Sequence, residues 1–213
     1  MAKVRWQLAQ QLEWRWWRRY LRRRSLPDYL SQKRAYWQRT FAALRISFRP
    51  GERVLDAGCG PAGAFIYLHD TQRLTALDPL LERYASLPIF DPADYPTVRF
   101  VPAPLETHGL RPPFDTICCF NAVNHVRDWS ASLDALTELA APHTRLLLSS
   151  DVHRYGWLNR LFRWLPGDAL HPQQHGPEEY RRALRGRGWR IEREVLLRGG
   201  RIFDYRAWVC VRS

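Results

Sequence analysis

Apolar positions along the chain fall into two regimes, one helical and one that alternates between short strands and helices. Residues 5 to 24 set Trp6, Trp14, Trp16, Trp17, Tyr20 and Leu21 among arginines until Pro27 interrupts, which predicts one amphipathic helix. A second helix, from about Asp28 to Leu44, places Tyr29, Lys33, Tyr36 or Trp37, Thr40, Phe41 and Leu44 at three- and four-residue spacings. From Arg53 the pattern changes. Strands at 53–57, 73–77, 98–101, 115–120 and 145–150 are interleaved with helices at 62–69, 79–86 and 130–140, an order that predicts a parallel sheet wrapped by helices. Beyond it the pattern predicts a helix at 155–164, a polar loop at 166–177, a helix at 178–186, and strands near 189–197 and 202–211. The last two form an antiparallel hairpin across Gly199-Gly200.

Composition bounds the class. With 213 residues, 46% of them hydrophobic, the chain buries one sizeable core, so a single domain with appendages is expected. No run approaches the roughly 18 to 20 apolar residues that cross a bilayer, and the N-terminus has no apolar run of the secretory kind. Cys59, Cys118, Cys119 and Cys210 include no CxxC pair and no zinc-site spacing; a cytoplasmic location is expected, no metal is called for, and Cys118 and Cys119 read as small buried hydrophobes.

Charge is distributed unevenly. Residues 1–50 carry 13 basic and 2 acidic side chains, residues 51–150 carry 7 and 12, and residues 151–213 carry 13 and 7. The net +12 therefore belongs to the two ends, where a cationic rim would concentrate an anionic partner.

The chemistry begins at Val54-Leu55-Asp56-Ala57-Gly58-Cys59-Gly60-Pro61-Ala62-Gly63, a strand that runs into a glycine turn and then a helix. Glycines there permit positive φ and a close approach of ligand to backbone. Gly58, Gly60 and Gly63 also satisfy the dinucleotide fingerprint, so the turn alone does not separate a nicotinamide cofactor from S-adenosylmethionine. Asp56 separates them: a carboxylate at the strand tip suits a ligand ammonium and is awkward beside a pyrophosphate. Asp78, 18 residues after Gly60 in Leu77-Asp78-Pro79, is placed to accept hydrogen bonds from a ribose diol or to cap the next helix. Glu106 follows the third strand, where it stands either beside an adenine or as a solvated loop acid.

Residues 53–151 resemble the class I (Rossmann-like) S-adenosylmethionine-dependent methyltransferases of the broad type 11 group. The resemblance rests on the glycine turn, Asp78, Glu106, the Phe114-Asp115 entry to the fourth strand, Asn121 to Val126 after it, and Leu146 to Ser150 as the fifth strand. Pro142-His143-Thr144 departs from it, standing where the family usually has Lys-Pro-Gly-Gly. The resemblance implies an α/β fold with a seven-stranded, mostly parallel sheet in the order 3-2-1-4-5-7-6. Residues 1–50 would then form basic, Trp-rich lid or surface helices, and residues 51–213 the catalytic domain, with a substrate-side insertion at about 152–180. S-adenosylmethionine is the implied cofactor, bordered by Asp56, Gly58, Cys59, Gly60, Gly63, Asp78, Pro79, Glu106 and Asn121. The helix before the first strand often folds over the cofactor in this family, which makes Tyr29, Lys33, Tyr36 and Trp37 lid candidates unless they are ordinary packing.

Methyl transfer is an in-line displacement, so the protein must align a nucleophile and, for a hydroxyl, remove its proton. His125, just past the fourth strand, and Asp151 and His153, at the end of the fifth, are the candidates. His171 and His175 lie in the loop that follows, and Arg154, Arg160 and Arg163 on or beside a helix that would border a cavity. A small-molecule or lipid-like, apolar and anionic acceptor methylated at oxygen is the favoured expectation. A nucleic-acid methyltransferase is disfavoured, because Asn121-Ala122-Val123-Asn124 replaces the Asn-Pro-Pro-Tyr type motif. Peripheral membrane contact through residues 5–24 is a compatible third reading.

Overall fold

The computed structural model describes residues 2–22, 24–154 and 175–213. The expected helix at 155–164, most of the loop at 166–177, and Arg160, Arg163 and His171 lie outside them. Two helices come first, α1 (Ala2–Leu21) and α2 (Leu26–Ala43), the second with a proline in its first turn, where the missing N–H costs nothing. Strands β1 (Arg53–Ala57), β2 (Arg73–Leu77), β3 (Val98–Val101), β4 (Phe114–Phe120), β5 (Ala140–His153), β6 (Trp189–Arg198) and β7 (Phe203–Arg212) form one sheet in the order β3-β2-β1-β4-β5-β7-β6. All pairings are parallel except those of β7 with β5 and β6, as the sequence led us to expect.

Helices α3 (Phe65–Leu68), α4 (Leu81–Tyr84), α5 (Trp129–Glu138) and α6 (Pro177–Arg185) complete the layers. The first is shorter than the expected 62–69. Gly63 is extended at φ −74° and ψ −171°, so the chain makes a 3-10 turn at Gly60–Ala62 and restarts the helix afterwards. Strand β5 is longer than the expected 145–150. It starts at Ala140 because His143, at φ +70°, takes the left-handed backbone that a glycine would supply, and Thr144 Oγ1 donates to the Phe114 carbonyl at 2.6 Å. At its other end it continues to His153, held in register against Phe203 of β7.

Two apolar layers enclose the sheet. On one side Trp37 and Phe41 of α2 and Phe65 of α3 pack on Val54, Cys118 and Leu147. On the other, Leu133 and Leu136 of α5 and Tyr180 of α6 pack on Ile117, Leu148, Trp189 and Trp208. All four cysteines are buried and unpaired, filling space as small hydrophobes. No helix among the described residues is long and apolar enough to cross a membrane.

Candidate functional site

The site forms where β1 and β4 end at the carboxyl edge of the sheet, the position at which open α/β folds bind ligands. Gly58 and Gly60 carry φ of +69° and +58°, and the backbone N–H groups of Gly58 and Cys59 both donate to Leu77 O, at 2.7 and 3.1 Å, clamping the turn onto the end of β2. A Cβ on Gly58 would collide with the Ala122 side chain, whereas one on Gly60 would meet nothing within 4 Å. Gly63 serves differently. Its backbone suits any residue, but a Cβ there would lie 2.5 Å from Asp56 Oδ2 and from the Cys59 carbonyl.

Asp56 is placed otherwise than its position at a strand tip suggested. Only 2% exposed, it borders neither cleft described below: its Oδ2 accepts from the Phe65 N–H at 3.0 Å, and the Ala64 N–H also reaches the carboxylate. The acid therefore anchors the start of α3 under the glycine turn, and it does not present itself to a ligand ammonium. Burial pushes its carboxyl up to about 7, partly offset by those two backbone donors.

A narrow cleft of about 80 Å³ lies between α1 and this sheet edge. Trp6, Gln10 and Glu13 of α1 form one wall, and Gly58, Gly60, Asp78, Pro79, Glu106, Asn121 and His125 are on the other side. Asp78 accepts from the Gly60 N–H at 3.0 Å and the Leu80 N–H at 2.8 Å, so it serves the glycine turn and the following helix at once. Burial first, then the neighbouring Glu13 charge, raise its carboxyl to about 7. Glu106 Oε1 accepts from the Arg127 and Asp128 N–H groups, each at 3.0 Å, and so ties the loop after β3 to the loop after β4. Asn121, at φ +52°, donates its N–H to the Ser149 carbonyl and hydroxyl, which holds the end of β4 to β5.

The donor set is a test of the cofactor. Glu13, Asp78 and Glu106 line this cleft, and among its described lining residues there is no lysine or arginine. A pyrophosphate would find no cation here, whereas a ligand carrying ammonium and sulfonium charges and a ribose diol fits the carboxylates and the glycine cradle.

A second, larger cleft of about 890 Å³ adjoins the first. Tyr36 and Trp37, expected beside the cofactor, line this larger cleft instead, as do Cys59, Lys33 and Asp151; Trp37 Nε1 donates to the Ala62 carbonyl at 3.1 Å, pinning α2 to the glycine turn. It is α1, not α2, that covers the narrow cleft, while Tyr29 is buried in the core beneath. Glu13, Gly58, Gly60, Asn121 and His125 border both clefts.

Asp151 stays on this side, with Arg198 Nη2 at 3.6 Å from its Oδ1. His153 does not. It is 4% exposed with its ring 4.6 Å from that of Phe203, its partner in the β5–β7 pairing, and it borders neither cleft. His175 stacks on Trp129 at 3.8 Å and likewise borders neither. Tyr205 is a residue that sequence reasoning missed. It sits opposite Asp151 in the β5–β7 register, its hydroxyl 2.6 Å from Ser149 Oγ, and it lines the larger cleft. The alternation Phe203-Asp204-Tyr205-Arg206 together with the expected β7–β5 pairing is the signal that could have found it.

Known proteins agree with this architecture. Residues 29–194 match the family described as methyltransferase domain. The YcgJ protein of Bacillus subtilis aligns over 81% of this chain and 97% of its own, with 14% identity and a TM-score of 0.65. Magnesium protoporphyrin IX methyltransferase of Synechocystis, solved with bound S-adenosylhomocysteine, aligns over 87% and 83%, with 21% identity and a TM-score of 0.57. The N-methyltransferase NodS of Bradyrhizobium japonicum aligns over 82% and 94%, with 16% identity and a TM-score of 0.62. No curated protein matches in sequence. The chain belongs to the methyltransferase-domain family and is an S-adenosylmethionine-dependent enzyme of the Rossmann-like class.

Proposed function

We propose that the enzyme methylates an oxygen of a small or lipid-like acceptor held in the larger cleft, with the cofactor in the narrow one. The observation that carries this reading is the shared border: His125 and Asn121 stand where the two clefts meet, the place a methyl group has to cross. When bound, S-adenosylmethionine supplies a methyl group activated by its sulfonium. The protein's part is to align the acceptor and take its proton. His125 is the base at the junction; Asn121 and the Ser149–Tyr205 hydroxyl pair, with Asp151 opposite Tyr205, order the polar side of the cleft. Asp78, Pro79, Glu106 and the glycine turn hold the cofactor, with Asp56 and Gly63 shaping that turn from beneath. Structures of this fold include enzymes named for small-molecule methylation, such as a 1,6-didemethyltoxoflavin-N1-methyltransferase, and also one named a [4+2]-cyclase.

The test is transfer of labelled methyl from S-adenosylmethionine to a panel of hydroxy and carboxy acceptors, compared between wild type and His125→Ala. Loss of a general base predicts a turnover lower by roughly 10² to 10⁴ with cofactor affinity within about threefold. Cofactor binding lost with turnover would make His125 a cofactor-flanking residue, and binding without any transfer would favour a non-methylating reaction on this scaffold.

A membrane-surface role for α1 is supported by the face it exposes. Leu8 is 51% exposed, and Arg15 and Arg19 are exposed at helical spacing on the same face with no acid between them. Deleting α1 would also strip a wall from the cofactor cleft, so a triple substitution, Leu8→Gln with Arg15→Gln and Arg19→Gln, is the cleaner probe. It is expected to abolish co-flotation with phosphatidylglycerol vesicles; unchanged flotation would make this an ordinary solvated face.

A further inference from the structure

Lys33 is out of keeping with its surroundings. It projects from α2 into the larger cleft, half-buried, with its Nζ 5.1 Å from the Tyr36 ring centroid and 5.8 Å from that of Tyr29. Among the described residues no carboxylate pairs with it. The two acids that border the same cleft are engaged elsewhere: Glu13 accepts from the Tyr84 hydroxyl at 2.9 Å, and Asp151 faces Arg198. Burial lowers the Lys33 pKa, and the nearby Arg24 charge lowers it further, so an anion seated beside it would favour the charged form. Aromatic faces compensate a desolvated cation only in part. Trp16, Trp17, Trp37 and Phe120 give the cleft an aromatic wall. The other cations at its border differ in setting: Arg198 faces Asp151 and Arg39 is exposed to solvent, so among the described lining residues Lys33 is the half-buried cation without a carboxylate, and a cavity of this volume is complementary there to a ligand with an apolar body and an anionic end.

We propose that Lys33 is the anion-binding residue of the acceptor cleft, and that the acceptor carries a carboxylate or phosphate seated on its ammonium, with the apolar body between the tryptophans. The inference rests on the reading of this cleft as the acceptor's.

It is tested by binding alone, with the full-length protein. Decanoate, decyl phosphate, decanol and decyltrimethylammonium, each below its micelle concentration, are titrated while tryptophan fluorescence is followed. Decanoate or decyl phosphate should bind at least tenfold tighter than decanol or the cation, and which of the two binds tighter tells a carboxylate site from a phosphate site. Lys33→Met should remove that tenfold preference and leave decanol binding unchanged, Lys33→Arg should retain it, and Arg190→Gln, an exposed arginine on β6, should not alter it. Equal binding of all four probes to wild type, or an anion preference that survives Lys33→Met, overturns the proposal. Should Lys33→Met fail to fold, as read by its thermal melt, the wild-type probe series and Lys33→Arg still decide. Calorimetry with S-adenosylhomocysteine runs in parallel: absence of cofactor binding would strike the functional reading, whereas intact cofactor binding without anion preference would strike only the role of Lys33.

Discussion

Gly58→Val is expected to remove measurable S-adenosylmethionine binding and to lower the melting temperature by several degrees. A valine at φ +69° costs about 1–2 kcal/mol in left-handed backbone, and more for a β-branched residue. Its Cβ also meets the Ala122 side chain, where overpacking typically adds about 1–3 kcal/mol. The turn can relieve both only by giving up the bonds from Gly58 and Cys59 to Leu77, which shape the cradle. On a scale of about 1.4 kcal/mol per tenfold, a strain of this size corresponds to roughly 30-fold to a few thousandfold in affinity if the site yields instead of the fold. Gly60→Ala separates the two effects. Its methyl would enter open space, so stability should fall by only about 1 kcal/mol while affinity drops at least tenfold, because that space is where the ligand would lie. Calorimetry and thermal melts on both variants check this; an alanine at 60 that leaves affinity unchanged would move the ligand away from the turn.

Asp78→Asn should weaken the cofactor by roughly 10- to 100-fold, the value of hydrogen bonds to a charged acceptor, and should change two pH profiles in opposite directions. The folded carboxyl titrates near 7, well above the roughly 3.9 of an unfolded aspartate. A raised acid pKa means that the folded state holds its proton longer; its stabilising contribution is complete below the unfolded value and is lost as pH climbs through about 7. The unliganded protein should therefore melt lower at pH 8 than at pH 6, by an amount that shrinks in Asp78→Asn. Asp56 acts in the same sense, while His108, whose pKa burial lowers, acts in the opposite one, so the difference between wild type and variant isolates Asp78. Cofactor affinity should move the other way, rising with pH through about 7 in wild type as the ionised acceptor forms, and staying flat in the variant. A wild-type affinity independent of pH between 6 and 8 would remove Asp78 from the cofactor site.

The parts of this site that could be read in advance are those set by short-range spacing. Gly58, Gly60 and Asp78 are fixed by a strand, a turn and the next strand, and the same spacing gave the sheet order through a family likeness. What could not be read depends on partners far along the chain. Asp56 and His153 each sit at a strand end, where spacing predicts ligand contact. Asp56 turned inward because Phe65 and Ala64 offer backbone donors from below. His153 belongs to β5 and meets Phe203 because the register of a hairpin fifty residues away extends the strand through it. The placing of α1 was also illegible: its mixture of tryptophan and arginine marks an amphipathic helix but not the surface on which its inner face rests.

That resting place has a kinetic consequence. Glu13 touches both clefts, Trp6 and Gln10 wall the one, and Trp16 and Trp17 wall the other, so a single helix is the common door of two rooms. About 80 Å³ is less than the few hundred that enclose an ordinary ligand, so seating an adenosine-sized molecule there is expected to require the wall formed by α1 to give way. If the larger cleft holds the acceptor, as proposed, departure of spent cofactor and of methylated product would both depend on the same helix, and the two releases are expected to be kinetically linked.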